Sequence, residues 1–169
     1  NVIEHHKFNI IQDKISIGYI GRYHDHKGFD VFINLFKDFK NDARFHFYSA
    51  GSGNIIPPES INYTNIGWTK NVAELISQMD LIVCPNKFTY FDLLPLEVIS
   101  IGTPLLLSPI GGNIDLSKYS EGIYLSKNND VSDYRFLIES IFDSSNKSNS
   151  DFLKEKNRLI FKENFTQES

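Results

Sequence analysis

Thiols are almost absent from this chain: its 169 residues include one cysteine, Cys84. A lone cysteine excludes a disulfide framework and a thiolate zinc site, and its place in the apolar run Leu81-Ile82-Val83-Cys84-Pro85 reads as a small buried hydrophobe. Long hydrophobic runs are missing too. None approaches the roughly 20 residues needed to span a bilayer, and the first residues carry no signal-peptide pattern. Basic charge is in short supply: 17 Lys and Arg against 21 Asp and Glu leave a net charge of -4, without the footprint that nucleic-acid binders usually leave. No two histidines have metal-ligand spacing, so the adjacent His5 and His6 read as incidental. Ser100 and Ser108 lie outside any nucleophile-elbow pattern, which argues against a hydrolase.

What remains is an ordinary globular composition, 41% hydrophobic and 22% charged, in a chain long enough for one full core. Asn1 stands where a methionine would open a complete protein, and the chain stops inside a helical, polar pattern at Ser169. A fragment of a larger protein is therefore expected. Residues 1–13 show no clear element and read as a connector between domains.

Strand-like and helix-like stretches then alternate. Ile15 to Ile20 is the first strand; Phe29, Phe32, Ile33, Phe36 and Phe39 recur at helical spacing. Arg44 to Ala50 reads as the second strand, Ile61 to Ile66 as a short third, and Gly67-Trp68-Thr69 opens a helix through Val72, Leu75, Ile76 and Met79. A buried strand around Val83, an apolar helix from Phe91 to Ile101, a strand from Pro104 to Ser108 and a peripheral strand at Gly122 to Leu125 follow. Helices around 134–142 and 152–165 close the chain, separated by the polar loop 143–150. This alternation predicts an α/β fold with a parallel sheet covered on both faces.

In such a sheet, ligands bind outside the carboxyl ends of the strands. Three turns are expected there. Gly21 to Gly28 follows the first strand where a dinucleotide fingerprint would stand, but it lacks G-x-G-x-x-G and carries Arg22, His26 and Lys27 instead. Arg22 has the planar fork to bridge two phosphate oxygens, with Lys27 as a second charge. The same residues read equally well as a solvated basic turn, and His24 and His26 as ordinary turn residues. Gly51-Ser52-Gly53 and Gly111-Gly112 permit close approach of backbone to a ligand, or are simply tight turns. Beyond Asp92 at its start, Glu97 is the one acidic residue in its apolar helix. It reads as a carboxylate held among apolar residues to accept the hydroxyls of a ribose diol, or as a satisfied helix residue. Trp68, after Gly67, reads as packing against a ligand or as capping the helix, with packing the favoured reading.

Taken in order, these turns resemble the C-terminal, donor-binding domain of retaining glycosyltransferases of family 4 (glycosyl transferases group 1), nearly end to end. Gly21-Arg22 with Lys27-Gly28 is similar to the family's basic turn, and Gly51-Ser52-Gly53 to its second glycine turn. Asn65 to Trp68, Asp80 to Asn86, Phe91 to Pro104 and Gly111-Gly112 are similar to the segments that follow.

The resemblance implies a Rossmann-like three-layer α/β/α fold, the C-terminal half of a GT-B enzyme, with residues 1–169 as the donor domain. It implies hexosyl transfer from a nucleoside-diphosphate sugar, UDP by family habit, to a glycan or lipid-linked acceptor, with no metal and no cofactor beyond that substrate. Arg22 and Lys27 are the implied catalytic cations; Gly21, Gly51, Gly53, Thr89, Phe91, Asp92, Leu93, Glu97, Gly111 and Gly112 are the implied donor-binding residues. The acceptor would sit on a missing N-terminal domain, so the isolated domain would be inactive. A bacterial, cytoplasmic setting in polysaccharide biosynthesis, with peripheral membrane contact at the inner face, completes the expectation. One departure stands out. The family pattern E-x-F-G-L-x-x-x-E falls here on Thr89 to Glu97, with Thr89 at the first glutamate and Asp92 at the glycine. Asp92 is the residue that would stand in for the missing carboxylate by turning inward, and a catalytically silent nucleotide-sugar-binding module is the alternative reading.

Overall fold

The computed structural model describes residues 8–89, 92–143 and 150–166, without the side chains of Ser150 and Asp151. Six strands form one sheet in the order β3-β2-β1-β4-β5-β6: β1 (Ile15–Ile20), β2 (Phe45–Ala50), β3 (Tyr63–Gly67), β4 (Leu81–Cys84), β5 (Leu105–Leu107) and β6 (Ile123–Leu125). Every neighbouring pair is parallel. Helices α1 (Phe29–Phe39), α2 (Val72–Ser77), α3 (Leu93–Ile101) and α4 (Asn113–Leu116) make the crossovers from β1 to β2, β3 to β4, β4 to β5 and β5 to β6, while β2 reaches β3 through a loop; α5 (Val131–Ile141) and α6 (Ser150–Phe165) follow the last strand. Strand order reverses between β1 and β4, the switch point at which doubly wound sheets open a crevice.

Alternating side chains send two different cores to the two faces. Ile17, Tyr19, Phe45, Phe47, Leu81, Val83 and Leu106 meet Phe29, Phe32, Phe36 and Phe39 of α1 and Tyr134 and Ile138 of α5, giving a face dominated by aromatic rings. Tyr48, Ile82, Cys84, Leu105 and Leu107 meet Leu75, Ile76, Val98 and Ile99, an aliphatic face. Burial pushes the Cys84 thiol upward, so it stays protonated and packs as a hydrophobe.

β1 has the bounds its sequence predicts, and β3 lies slightly later than Ile61 to Ile66. The apolar helix α3 is shorter at its start than the predicted span, because Asp92 is its N-cap: the side chain accepts the Leu94 N–H. It ends at Gly102, left-handed at φ 98°. α6 is fastened beneath it by Asn157, fully buried, whose Nδ2 donates to the Thr103 carbonyl at 3.3 Å and whose Oδ1 accepts the Ser120 hydroxyl. Residues 8–13 contain no helix or strand. Phe8 and Ile10 pack on the aliphatic core, and the Ile11 N–H donates to the Tyr48 hydroxyl at 2.9 Å.

Candidate functional site

The carboxyl ends of β1, β2 and β3 are stitched together through their backbones. The Gly21 N–H donates to the Ala50 carbonyl at 3.0 Å, Tyr23 N–H to Ser52 at 2.8 Å, and Gly51 N–H to Gly67 at 2.9 Å. This closeness demands glycine. Gly51 adopts φ 147°, and a Cβ there would lie 1.8 Å from the Gly21 carbonyl oxygen. At Gly28, φ 70°, a Cβ would lie 1.8 Å from the Pro85 carbonyl oxygen, so the basic turn also rests against the loop after β4. Gly53 pairs with Tyr23, and Gly21 is left-handed at φ 153°. Beneath the turn, the buried Tyr19 hydroxyl donates to the Arg22 carbonyl at 2.7 Å, fixing the backbone that carries the guanidinium.

These loops enclose an open hollow of about 370 Å³, lined by Gly21, Arg22, Gly51, Ser52, Trp68 and Thr69 among others. That volume lies within the range of small-ligand pockets. Arg22 is exposed and has no ion-pair or side-chain hydrogen-bond partner among the described residues. Trp68 is 76% exposed, an indole left on the rim without protein packed over most of it.

Across the switch point the other cation is already engaged. Lys27 Nζ lies 3.2 Å from Asp92 Oδ2, and Asn86 Nδ2 donates to the same oxygen at 2.8 Å. The other Asp92 oxygen accepts the Leu94 N–H at 3.2 Å. Burial disfavours the charged form of Asp92, but Asn86, the Leu94 N–H and Lys27 together outweigh it, and the carboxyl is held below its ordinary value. Asp92 thus turns toward the basic turn. Lys87 pairs with Asp30 at 2.7 Å, and the His26 carbonyl accepts the Lys87 N–H at 3.0 Å, so backbone and side chains both bind the β4 loop to the basic turn. The His24 and His26 rings stand 5.5 Å apart.

Thr89 is half-buried in that loop, and Phe91 lies outside the described residues. Leu93 and Glu97 share the exposed side of α3, while Pro95, Val98 and Ile99 face inward. The expectation that apolar neighbours enclose Glu97 is therefore corrected. A helix apolar nearly all round gives no stripe by which to orient its one charge. Gly111 is left-handed at φ 50°, whereas Gly112 is ordinary helical backbone at φ -66°. With Asp92, Leu96, Asn113, Asp115, Leu116 and Phe165, Gly112 borders a second hollow of about 190 Å³. Sequence reasoning assigned no role to Asn86, which is buried and central to the Asp92 cluster. Its place directly after the Leu81 to Pro85 run was the available signal. Among the described residues, no three His, Cys, Asp or Glu side chains are grouped as metal ligands.

The fold is the parallel, Rossmann-like α/β/α architecture of the C-terminal half of GT-B glycosyltransferases, with the Arg22 turn and the hollow at the carboxyl ends of β1, β2 and β3. The chain belongs to the glycosyl transferases group 1 family, whose model matches residues 14–143. No curated protein sequence matches it. Among solved structures, it is similar to Anabaena Alr3699/HepE, in complex with UDP-glucose, at a TM-score of 0.76 and 13% identity over 90% of this chain and 45% of that one. It is likewise similar to S. aureus TarM, solved as a mutant in complex with Fondaparinux, alpha-GlcNAc-glycerol and UDP, at a TM-score of 0.78 and 18% identity over 96% and 35% of the two chains. Sucrose-phosphate synthase from Thermosynechococcus elongatus gives a TM-score of 0.77 at 18% identity, over 94% of this chain and 43% of that one. The chain therefore spans less than half the length of the structures it matches.

Proposed function

We propose that this chain is the donor half of a retaining glycosyltransferase that moves a sugar from a UDP-sugar to a glycan or lipid-linked acceptor held by a second domain. The observation that carries the reading is the unpaired Arg22 on the lip of a hollow closed by Gly21, Gly51 and Trp68, in a chain of this family. The hollow takes the base and ribose, with the Trp68 ring available to the base. Arg22 takes the diphosphate, and its fixed positive charge meets negative charge that grows as the glycosidic bond breaks, stabilisation that is already oriented before reaction. Lys27 adds to this once it is released from Asp92. Glu97, exposed and free of a side-chain partner among the described residues, accepts the ribose hydroxyls. The complexes of HepE with UDP-glucose and of TarM with UDP support UDP as the carrier. Charge neutralisation by side chains calls for no metal. Closure against the acceptor domain would exclude water and limit hydrolysis of the donor.

Calorimetric titration with UDP, GDP and ADP tests this, using the wild-type chain and the variants Arg22→Ala and Glu97→Ala. Binding of UDP, weakened in both variants, is the expected result; binding of none of the three would overturn it. A second reading, a silent nucleotide-sugar-binding module, is favoured by Thr89 at the position of the family's first glutamate and by the engagement of Asp92 with Lys27. The two readings part on turnover by the full-length protein: release of UDP from UDP-sugar with acceptor present supports the transferase.

A further inference from the structure

We propose that Asp92 is a built-in competitor for the donor's phosphate, an internal carboxylate that occupies the oxyanion-binding groups of the site until a diphosphate displaces it. The inference deepens the donor-binding reading and rests on it. Three donors converge on this one side chain: the Lys27 ammonium, the Asn86 amide and the Leu94 N–H at the start of α3. A cation, a neutral N–H donor and the amino end of a helix are the set that receives a phosphate oxygen. A carboxylate and a phosphate share that need for donors, and both are anions, so they cannot hold the same Lys27 and helix end at the same time.

Several features make the carboxylate an effective occupant. The side chains of Asp92 and Lys27 are only 21% and 29% exposed, which leaves their attraction less screened than on an open surface. Asp92 is tethered to the first turn of α3 by its capping bond, so it never leaves the neighbourhood. Arg22, five residues earlier in the same turn as Lys27, is the contrast, exposed and without a side-chain partner among the described residues. An arriving diphosphate therefore meets one ready cation and one that must first exchange partners. Asp92 lowers donor affinity by holding Lys27 and by repelling the phosphate.

The test is titration of UDP into the wild-type chain, Asp92→Asn, Lys27→Met and the double variant, each checked by thermal melting. Asparagine caps helices as well as aspartate, removes the charge and replaces the oxygen that faces Lys27 and Asn86 with an NH2 donor, so it frees both groups; Asp92→Ser, another good cap, serves if Asp92→Asn does not fold. UDP binds roughly threefold to tenfold tighter to Asp92→Asn, the scale of a partly buried ion pair's influence. Most of that gain disappears in the Lys27→Met background, because neighbours that act through one contact are not additive. A wild-type chain that fails to bind UDP while Asp92→Asn binds it would support the proposal in its strongest form. Equal or weaker binding to Asp92→Asn, with wild-type binding intact, overturns the proposal and leaves the donor site standing: Asp92 would then only position Lys27. No binding to any variant removes both the proposal and the donor-site reading beneath it.

Discussion

On one side of the switch point, β1, β2 and β3 end in loops packed backbone against backbone, with Arg22 unpaired above them and a hollow open to solvent. On the other side, Asn86 and Asp92, which follow β4, are already committed to Lys27 of the basic turn, and Asn157 holds Ser120 and Thr103 beneath. The first half is shaped by what glycine leaves out, and the second by polar groups that satisfy each other. A ligand therefore finds one half ready and must reorganise the other. Preorganised groups bind without an exchange of partners, while committed ones must first be released.

The comparison breaks most sharply at Gly51. Gly51→Ala forces a Cβ against the Gly21 carbonyl oxygen at 1.8 Å and asks alanine to adopt φ 147°. A stability loss of about 3 kcal/mol or more is expected by chemical denaturation, together with loss of UDP binding as the first half of the edge comes apart. Arg22→Ala should weaken UDP roughly tenfold to a hundredfold, the scale of hydrogen bonds to charged groups, while the denaturation midpoint stays put. Lys27→Ala should cost less than Arg22→Ala, because its charge is already neutralised. Equal losses in the two variants would erase the distinction between the halves. In the second half, Asn157→Ala should cost about 1–3 kcal/mol by leaving the Ser120 hydroxyl and Thr103 carbonyl short of a buried partner, with UDP affinity unchanged.

The first half also carries a pH signature. His46 is buried on β2, its Nε2 is 2.8 Å from the Thr64 hydroxyl, and its Nδ1 has no partner. Burial, helped by the positive charge of Lys14, pushes its pKa from 6.5 down to about 4. The unfolded chain then takes up a proton below pH 6.5 that the folded chain refuses until about pH 4. Its contribution is fully present above pH 6.5 and is lost progressively as pH falls from there to about 4. Denaturation midpoints across that window should fall for the wild type and flatten for His46→Gln. The smallest effect on stability is expected at Trp68→Ala. With the ring 76% exposed, the midpoint should shift by less than about 0.5 kcal/mol, while UDP affinity falls several-fold if the indole packs on the base.

Much of the fold was legible in the order of its segments. The stripe Phe29, Phe32, Phe36 and Phe39 becomes the buried side of α1, and the run Leu81 to Cys84 becomes a strand buried on both faces. The basic and glycine turns fall at the strand ends because a parallel sheet places every strand-to-helix turn at the same edge. Two site residues were harder to read. Glu97 is a lone charge in a helix apolar almost all round, and only packing against the core decides which side faces water. Asp92 reads from the sequence as a substitute for the missing glutamate, and nothing in the sequence pairs it with Lys27, 65 residues earlier, and Asn86.

Local pattern is enough to determine the element sequence, the parallel sheet, and the edge at which the glycine turns and the basic turn gather. Periodicity and turn chemistry act over a few residues and leave their mark in the chain itself. Which of the two cations lacks a partner among the described residues and which way Glu97 points came only from the tertiary structure. So did the contact of the Gly28 turn with Pro85 and the engagement of Asp92 before any donor arrives. These depend on distances between segments far apart in sequence, fixed by the packing of β1 beside β4, and no spacing within one segment encodes them.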